Sequence, residues 1–446
     1  MGFRRKKHYK IIAALIFAAA FISACHIAAA LPNNVNAAGG IDGAITVCFE
    51  NTSRVFDLAA YKDIDSDIFT YREFADRYRI SGGYAEKKDL IERIIRQGWD
   101  AEVAFRYVYI GLLRDIDAFL SAKVDIAPRN AQILFSPSGS PKFVIKRELN
   151  GRKADRGKLY DDLIKAYCAG SFCSVYVSTY RVYAEENAED LRAQTYLRAR
   201  FSTSYETSSV DRKHNVRLAV SKFNGMTVPP GGLVSFNQTV GPRTEARGFR
   251  TGKIIINGRL EDGLGGGVCQ SSTTLYNAAL LADMTILQVS HHSLPVSYVP
   301  PSFDAMVNSG WSDMVFRNDS DAAVYIRAYC DDRNVSAEFY GLKMPYKIVR
   351  EAEVTEIIPH TGYERLADTE GKYAEFVTYK DETHVVTYPK DGLKSRGYLT
   401  YYGDGNVIKK LLIRSDTYAP TKGLIVEGQR ERPVGVFDPM RVVCGS

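Results

Sequence analysis

The chain has 446 residues, of which 45% are hydrophobic and 25% charged, a composition typical of folded globular domains. This length exceeds that of one ordinary domain and predicts two or three. The formal net charge of +6 comes mostly from five basic residues near the N-terminus. The remainder carries 53 Lys and Arg against 52 Asp and Glu, which argues against electrostatic binding of nucleic acid.

The first forty residues have the pattern of an export signal followed by a linker. The basic head consists of Arg4, Arg5, Lys6, Lys7 and Lys10. An apolar run from Ile11 to Leu31 follows directly, and this order predicts that the rest of the chain lies outside the cytoplasm. The run is long enough to stay as a membrane anchor, which we prefer. Cleavage near Val35-Asn36-Ala37, or lipidation of Cys25 in a lipobox-like Ile22-Ser23-Ala24-Cys25, are the alternatives.

Six further cysteines follow the apolar run, and in an exported protein an even set predicts disulfides. They are Cys48, Cys168, Cys173, Cys269, Cys330 and Cys444. Cys168 and Cys173 are close enough in sequence for a local bridge. No C-x-x-C pair occurs, so neither a structural zinc site nor a thioredoxin-like motif is expected. We expect no cofactor.

The residue pattern over 44–190 predicts an α+β region. The predicted strands are Ala44–Phe49, Ala131–Phe135, Lys142–Leu149 and Ser174–Tyr183, and the predicted helices are Lys87–Gln97, Tyr107–Val124 and Lys158–Tyr167. The residues that repeat at helical spacing in the second helix are Tyr109, Leu112, Leu113, Ile116 and Leu120. This spacing predicts a buried face.

Two helices are predicted next, one over Glu185–Leu197 and one containing Val216, Ala219, Val220 and Phe223 that ends at Asn224-Gly225. A third begins at Ser271, after the glycine run Gly265, Gly266 and Gly267. Beyond residue 344 the alternating pattern predicts β-hairpins, with one turn at Gly403-Asp404-Gly405.

Cys269 stands between the glycine run and the third helix. Unpaired amides and the dipole at a helix N-terminus favour a thiolate and lower the pKa of the thiol. Flexible glycines allow backbone amides within Gly267–Gln270 to converge on an oxyanion. A nucleophilic thiolate also needs a base and an orienting group. His292, with its neighbour His291, is the candidate base.

Asp304 is the first candidate for the orienting group, and Asp313 and Asn308 are the alternatives. Structural interpretations stay open: Cys269 pairs with Cys330 in a disulfide, His292 bonds a loop, and Asp304 caps a turn.

A set of residues around the nucleophile is predicted to bind a ligand. These are Gly266, Gly267, Gln270, Ser271 and Arg243. Arg243 and Arg247 could meet a carboxylate such as the terminus of a peptide stem, but we prefer the interpretation that they are ordinary solvated arginines. Trp311 is either a core anchor or a platform for a sugar.

Residues 195–341 resemble the VanW family. The matching segments are RARFSTSY, DRKHNVRLAVSKFNG, VPPGGLVSFNQTVGPRTEARGF, GGGVCQSSTTLYNAALLADM, HHSLPVSYVP, FDAMV and WSDMVFRN. The family usually has glycine where Ser302 stands, and His292 aligns with the His of its His-Ser pair. A looser resemblance links residues 44–190, through PRNAQILFS and FVIKRELNGRKAD, to a peptidoglycan-binding domain that often precedes VanW domains. LLIRSDTYAPTKGLIVEG in residues 345–433 resembles the G-five module of bacterial surface proteins, and residues 434–446 form a tail.

These resemblances imply an α+β, multi-domain protein with an N-terminal signal or anchor helix, a wall-binding region, a mixed VanW core and a β-rich C-terminal module. The implied partners are peptidoglycan or another wall polymer and the membrane, with the bulk of the protein facing outward. The first functional hypothesis is a wall-binding protein, linked to wall remodelling or glycopeptide resistance. The alternatives are a cysteine-dependent amidase or transpeptidase acting through Cys269 and His292, and a disulfide-stapled scaffold.

Overall fold

The computed structural model describes residues 43–61, 109–168, 174–256 and 259–432. The predicted signal or anchor, the helix over Lys87–Gln97, the side chains of Cys168 and Cys173, and the tail lie outside this description. Within the described ranges, no helix is long and apolar enough to cross a membrane.

The described chain is rich in short strands and has several small sheets, so the predicted mixture of α and β is confirmed. The helices are α1 (Ile110–Lys123), α2 (Arg156–Cys168), α3 (Ala188–Arg192), α4 (Val210–Ser221), α5 (Phe236–Val240) and α6 (Val268–Leu281). Two 3₁₀ turns span Leu58–Ala60 and Glu245–Arg247. The strands are β1 (Ala44–Phe49), β2 (Thr52–Asp57), β3 (Gln132–Phe135), β4 (Phe143–Lys146), β5 (Gly151–Ala154), β6 (Ser174–Tyr176), β7 (Thr179–Val182), β8 (Tyr196–Ser204), β9 (Met226–Val228), β10 (Leu233–Ser235), β11 (Thr251–Ile256), β12 (Arg259–Leu264), β13 (Thr285–Gln288), β14 (Val315–Arg317), β15 (Val324–Cys330), β16 (Asn334–Gly341), β17 (Lys347–Ile358), β18 (Tyr363–Ala367), β19 (Thr383–Thr387), β20 (Gly392–Gly403), β21 (Asn406–Tyr418) and β22 (Gly423–Glu427).

The chain divides into two compact units, and this division differs from the predicted module boundaries. The first unit is Met1–Ile126 with Arg152–Tyr180, and the second is Ala127–Gly151 with Arg181–Ser446. In the first unit, β1 pairs antiparallel with β2 and parallel with β6. All five residues of the predicted buried face of α1 are buried in its core, which confirms that face.

The β3–β4 hairpin packs in the second unit, although its sequence was predicted to belong to the preceding region. Phe135 and Phe143 stack on each other with ring centroids 4.9 Å apart. Both rings also contact Tyr325 and Tyr340 on neighbouring strands β15 and β16. Aromatic burial therefore joins residues 127–151 to the sheet that supports the VanW-like segment.

The main sheet of the second unit has the order β8-β16-β15-β9, and helices α4 and α6 pack on it. The predicted helix over Glu185–Leu197 is shorter in the structure, because α3 ends at Arg192 and β8 begins at Tyr196. Leu197 pairs with Tyr340 across the sheet. Ladder hydrogen bonds to β16 therefore override the local helical pattern at this end.

A buried carboxylate lies within the same sheet. Glu338 on β16 is 1% exposed. Arg327 donates to it at 3.1 Å and Tyr340 at 2.6 Å, and Arg200 also pairs with it. Although burial raises the pKa of Glu338, these donors outweigh that effect and lower it to about 2. The charge is therefore retained inside the sheet because it is fully bonded.

Helix α6 is the central element because almost every side chain on it is buried. Its N-cap is Gly267, whose φ of +104° is a left-handed conformation that favours glycine. Leu275, Ala278 and Ala279 form an apolar stripe and are all 0% exposed. Small side chains on this stripe let the helix lie close to β8 and β16, and this fixes the position of its first turn, which carries Cys269.

One of the predicted C-terminal β-hairpins is confirmed, that of β20 and β21, whereas β17 pairs with the distant β20 and β18 pairs parallel with β22. Strands β17, β20 and β21 form one sheet, and β18, β22 and β19 form another. Gly403 pairs with Asn406, so Asp404 and Gly405 make the predicted turn with φ of +49° and +82°. Leu399 and Tyr401 of β20 belong to the same hydrophobic cluster as α6.

Candidate active site

Cys269 lies in the first turn of α6 and points toward the loop that follows β13. Its Sγ donates to the carbonyl oxygen of Val307 at 3.4 Å. The thiol and the His292 ring are near enough to shift each other's pKa. The structure therefore brings the predicted nucleophile and the predicted base close together, although 22 residues of sequence lie between them.

Asp304 holds His292 from the other side. Its Oδ2 accepts from the backbone N–H of His292 at 2.6 Å and lies 2.7 Å from the ring Nδ1. His292 is 5% exposed and Asp304 is 1% exposed. Two contacts from one carboxylate fix both the backbone and the ring of the histidine. Because Nδ1 faces Asp304, the other ring nitrogen is left to serve the thiol.

The electrostatics of this trio favour a thiolate beside an imidazolium. Burial disfavours the charged ring, but hydrogen bonds and charge from Asp304 and Cys269 raise the pKa of His292 to about 9. Burial likewise raises the pKa of the Cys269 thiol, but His292 outweighs it, so the net pKa is lowered. The pKa of Asp304 is also lowered, because its bonds to His292 and Tyr418 outweigh the effect of burial.

The polar side chains of α6 hold the loop that carries Asp304. Asn277 donates to the carbonyl oxygen of Phe303 at 2.7 Å. Thr273 accepts from the backbone N–H of Ala305 at 2.9 Å. Both residues are fully buried, which is unusual for polar side chains on a helix and is explained by these bonds. Sequence analysis missed this role, although the run of Ser and Thr after Cys269 in a stretch that is otherwise apolar was a usable signal.

Strand β21 of the C-terminal hairpins also contacts Asp304. The hydroxyl of Tyr418 donates to its Oδ1 at 2.6 Å. Arg414 donates to its backbone carbonyl oxygen and lies 3.7 Å from Oδ1. These two residues fall in LLIRSDTYAP, which sequence analysis assigned to a separate module. The candidate site therefore depends on a strand beyond the VanW-like segment.

Ser302 stands where the sequence resemblance predicts a glycine, and its backbone has a conformation that favours glycine. Its φ is +65°, in the left-handed region. Here the side chain is buried and lies 2.7 Å from the hydroxyl of Ser395. The backbone N–H of Ser302 donates to Tyr418 at 2.8 Å. Serine therefore keeps the same turn, and Asp304 stays in place.

The glycine run packs closely against its surroundings. A Cβ on Gly266 would lie 2.4 Å from the backbone carbon of Gly252, so no side chain fits there. The backbone N–H of Val268 donates to Gly265 and that of Gln270 donates to Gly267. These two amides are therefore committed within the turn, which leaves the amides of Gly267 and Cys269 as candidates for the predicted oxyanion hole.

Two of the predicted ligand-binding side chains serve the interior instead. Gln270 is 1% exposed and donates to Thr203 at 3.0 Å and to the Ser204 carbonyl at 2.7 Å. Ser271 is 0% exposed and donates to the Val216 carbonyl at 3.1 Å. Both side chains anchor the first turn of α6 to its neighbours, so they are not offered to a ligand.

The alternative acid and base candidates lie elsewhere. Asp313 accepts from the backbone N–H groups of Asn237 and Met314, at the start of α5. Asn308 is exposed and bridges to Ser312 through its backbone. The ring of His291 bonds the carbonyl of its neighbour and packs edge-on against Tyr418, with centroids 5.2 Å apart. His292 with Asp304 is therefore the pair that meets Cys269.

The structure has Cys269 and Cys330 as separate free thiols, so the disulfide between them is not formed. Cys330 lies at the end of β15, where burial raises its pKa to about 11. Cys48 of the first unit is also free. Across the described parts of the chain, no group of three or more His, Cys, Asp and Glu side chains is arranged to hold a metal ion.

Arg243 lies against the glycine turn that precedes Cys269, and Trp311 lies on the loop before β14. Arg243 donates to Ser309 at 2.7 Å and to the side-chain oxygen of Asn237 at 2.6 Å. Trp311 is 75% exposed, so it is not a core anchor. Arg247 donates to the carbonyl of Val240 instead.

Comparison with known proteins supports the resemblance drawn from the motifs. A model of the family described as VanW like protein matches residues 211–340. The uncharacterized protein YoaR of Bacillus subtilis is 37% identical over 148 residues, which are 33% of this chain and 49% of that protein. The vancomycin B-type resistance protein VanW of Enterococcus faecalis is 31% identical over 156 residues, which are 33% of this chain and 56% of that protein. The chain thus spans about half the length of the curated relatives it matches.

A solved G5 domain of an IgA1 protease is 12% identical and covers 19% of this chain and 94% of its own, with a TM-score of 0.11. A score this low leaves the G-five-like module a prediction. The family match begins at α4, ends on β16 and contains Cys269, His292 and Asp304. Residues 211–340 of this chain form a domain of the VanW family.

Proposed function

We propose that the VanW domain is a cysteine-dependent acyltransferase that acts on the stem peptides of peptidoglycan. The observation that carries the proposal is the Cys269–His292–Asp304 arrangement, in which His292 and Asp304 are buried and lie 2.6 and 2.7 Å apart at their two contacts. A thiol of lowered pKa near a histidine of raised pKa has no purpose in a structural role, whereas it activates the sulfur for nucleophilic catalysis.

The chemistry follows from the charges. The thiolate of Cys269 attacks the carbonyl carbon of an amide, and the backbone amides of Gly267 and Cys269 are the candidate donors to the oxyanion. The imidazolium of His292 gives its proton to the leaving amine, and the C–N bond breaks to leave a thioester on Cys269. The neutral His292 then takes a proton from the acceptor as the acceptor attacks the thioester carbonyl. The C–S bond breaks, the acyl group passes to the acceptor, and the Cys269 thiolate and the His292 imidazolium are restored. Water as acceptor gives an amidase, and an amine on a second stem gives a transpeptidase.

The test is release or cross-linking of wall peptides by the full chain, followed by mass spectrometry of the products. Cys269→Ala should abolish both reactions. Cys330→Ser is the matched control, because it removes another free, half-buried thiol of the same domain and should leave turnover unchanged. Equal turnover by Cys269→Ala and the unaltered protein would refute the proposal.

Wall binding is the second candidate, and the exposure of Trp311 favours it. An indole that is 75% exposed costs solubility and offers a flat apolar face to a sugar ring. Sedimentation with purified peptidoglycan tests this proposal. The protein should pellet with the wall, and Trp311→Ala should reduce the bound fraction. Failure of the unaltered protein to pellet would exclude wall binding.

Export and anchoring are proposed from the N-terminal sequence. The basic head and the apolar run Ile11–Leu31 place the domains outside the cytoplasm with the run retained in the membrane. Cell fractionation and external protease digestion test this orientation. The enterococcal relative is named for vancomycin resistance. The proposed activity would affect such resistance by changing how the stem peptides are cross-linked.

A further inference from the structure

Two arginines lie against the glycine turn that leads into Cys269. A Cβ added to Gly265 would lie 3.1 Å from Cγ of Arg243, and one added to Gly267 would lie 2.9 Å from Cγ of Arg212. The absence of side chains at these glycines therefore makes room for the two arginine stems. Arg212 comes from α4 and Arg243 from the loop after α5, so separate elements bring them to this turn.

Neither arginine forms an ion pair with a carboxylate of the described chain. Arg243 donates to two neutral oxygens, on Ser309 and Asn237. The side chain of Arg212 donates to the hydroxyl of Ser208 at 2.6 Å. A guanidinium has five N–H donors, so both groups keep donors to spare.

The charge of these arginines is incompletely balanced. Both side chains are half-buried. Burial lowers the pKa of each, and the charge of Cys269, with a further contribution of Asp313 to Arg243, opposes this only in part. Arg327, another half-buried arginine of this unit, pairs with Glu338 at 3.1 Å, whereas Arg198 and Arg350 bond neutral oxygens, as Arg212 and Arg243 do. A guanidinium that is partly desolvated without a counterion is stabilised when an anion binds.

We infer that Arg212 and Arg243 form a carboxylate-binding site beside Cys269, so that the acyl donor is a peptide with a free carboxylate next to the scissile amide. This inference rests on the proposed acyl transfer and specifies its substrate class. Planar guanidinium groups bind carboxylates through paired N–H donors, which fixes orientation as well as charge. A substrate held in this way presents its neighbouring carbonyl to the sulfur.

The first test does not require turnover. The full chain is alkylated with iodoacetate, which carries a carboxylate, and separately with its neutral analogue iodoacetamide, and modification of Cys269 is followed by mass spectrometry. The same thiolate reacts with both reagents, so the ratio of the two rates does not depend on the fraction of Cys269 that is ionised. Arg243→Gln should lower the iodoacetate-to-iodoacetamide ratio by about tenfold, and Arg212→Gln should lower it in the same direction.

Arg247→Gln is the matched control, because Arg247 lies in the same loop but bonds Val240. It should leave the ratio unchanged. Arg243→Lys keeps the charge without the paired donors and should retain most of the ratio, which covers the case in which glutamine disrupts the loop. An unchanged ratio in both Arg243→Gln and Arg212→Gln, with the fold intact by circular dichroism, would overturn the carboxylate site.

The second test uses two stem-like peptides that are identical except for a C-terminal carboxylate or a C-terminal amide. The unaltered protein should turn over the acid about tenfold faster, and Arg243→Gln should remove this preference. Equal rates for acid and amide would refute the carboxylate site while leaving the acyltransferase proposal intact. If neither peptide nor purified wall is turned over, the proposed function fails, and the alkylation ratio still decides the carboxylate site.

Discussion

Asp304→Asn is the most informative change, because it removes the charge of Asp304 and alters its shape very little. In the protein, Asp304 accepts from the backbone and the ring of His292 and from Tyr418, at 2.6 to 2.7 Å. Asparagine can keep a hydrogen bond to the ring but cannot balance an imidazolium. We expect the pKa of His292 to fall and, as a consequence, the pKa of Cys269 to rise.

The magnitude follows from the raised pKa of the histidine. A pKa of about 9 instead of 6.5 corresponds to about 3 kcal/mol that favours the imidazolium, shared between Asp304 and Cys269. If Asp304 supplies half of this energy, its loss increases the acid dissociation constant of His292 by about tenfold. Burial alone disfavours both charges, so the thiolate loses its partner and becomes rarer near neutral pH.

The assay is alkylation of Cys269 by iodoacetamide as a function of pH, followed by mass spectrometry. The unaltered protein should have a midpoint below the usual thiol value of 9.0, and Asp304→Asn should move it upward and slow alkylation at pH 6 by about tenfold. Asp331→Asn is the control, because that carboxylate accepts from the backbone N–H groups of Arg333 and Asn334 and not from His292. Identical profiles for Asp304→Asn and the unaltered protein would refute the thiolate–imidazolium pair.

Four further predictions extend to other parts of the structure. Tyr418→Phe removes one of the donors to Asp304, so it should raise the alkylation midpoint of Cys269, but by less than Asp304→Asn does. It also leaves the Ser302 amide without its acceptor, so the free energy of unfolding, measured by urea titration, should fall by about 1–2 kcal/mol. Turnover of wall peptides should fall as pH rises through about 9, since His292 must be protonated to release the amine; a rate that keeps rising to pH 10 would contradict this. Gly267→Ala should cost about 2 kcal/mol or more in urea unfolding, because φ is +104° and the new Cβ would lie 2.9 Å from Arg212. Glu338→Gln should lower the free energy of unfolding by about 2–3 kcal/mol at neutral pH and by little at pH 2. The stability that comes from the lowered pKa of Glu338 is present above pH 4.5 and is lost as the pH falls toward 2. An equal loss of stability at both pH values would refute this prediction.

Much of the fold was readable from local patterns. The buried face of α1 and the two-residue turn at Asp404 and Gly405 follow from residue spacing and from the conformational freedom of glycine. The helix predicted over Glu185–Leu197 failed at its C-terminal end, because Leu197 gains strand hydrogen bonds to Tyr340 that a short window of sequence does not contain. The same limit applies to the β3–β4 hairpin, whose aromatic rings are buried by a sheet formed from residues far along the chain.

For the candidate site too, local sequence features identified the residues, whereas tertiary packing decided their contacts. Motif spacing was sufficient to nominate Cys269, His292 and Asp304, since a glycine turn before a helix and a histidine after a strand are local features. Contact among the three depends on α6 lying buried against the sheet, with Thr273 and Asn277 holding the Asp304 loop.

Three further features depended on packing between distant segments. The free state of Cys269, the interior role of Gln270 and the contacts of Tyr418 with Asp304 were not evident in the sequence. Their energies come from burial and from hydrogen bonds between residues up to 114 positions apart, and such pairings exist only once the core has formed.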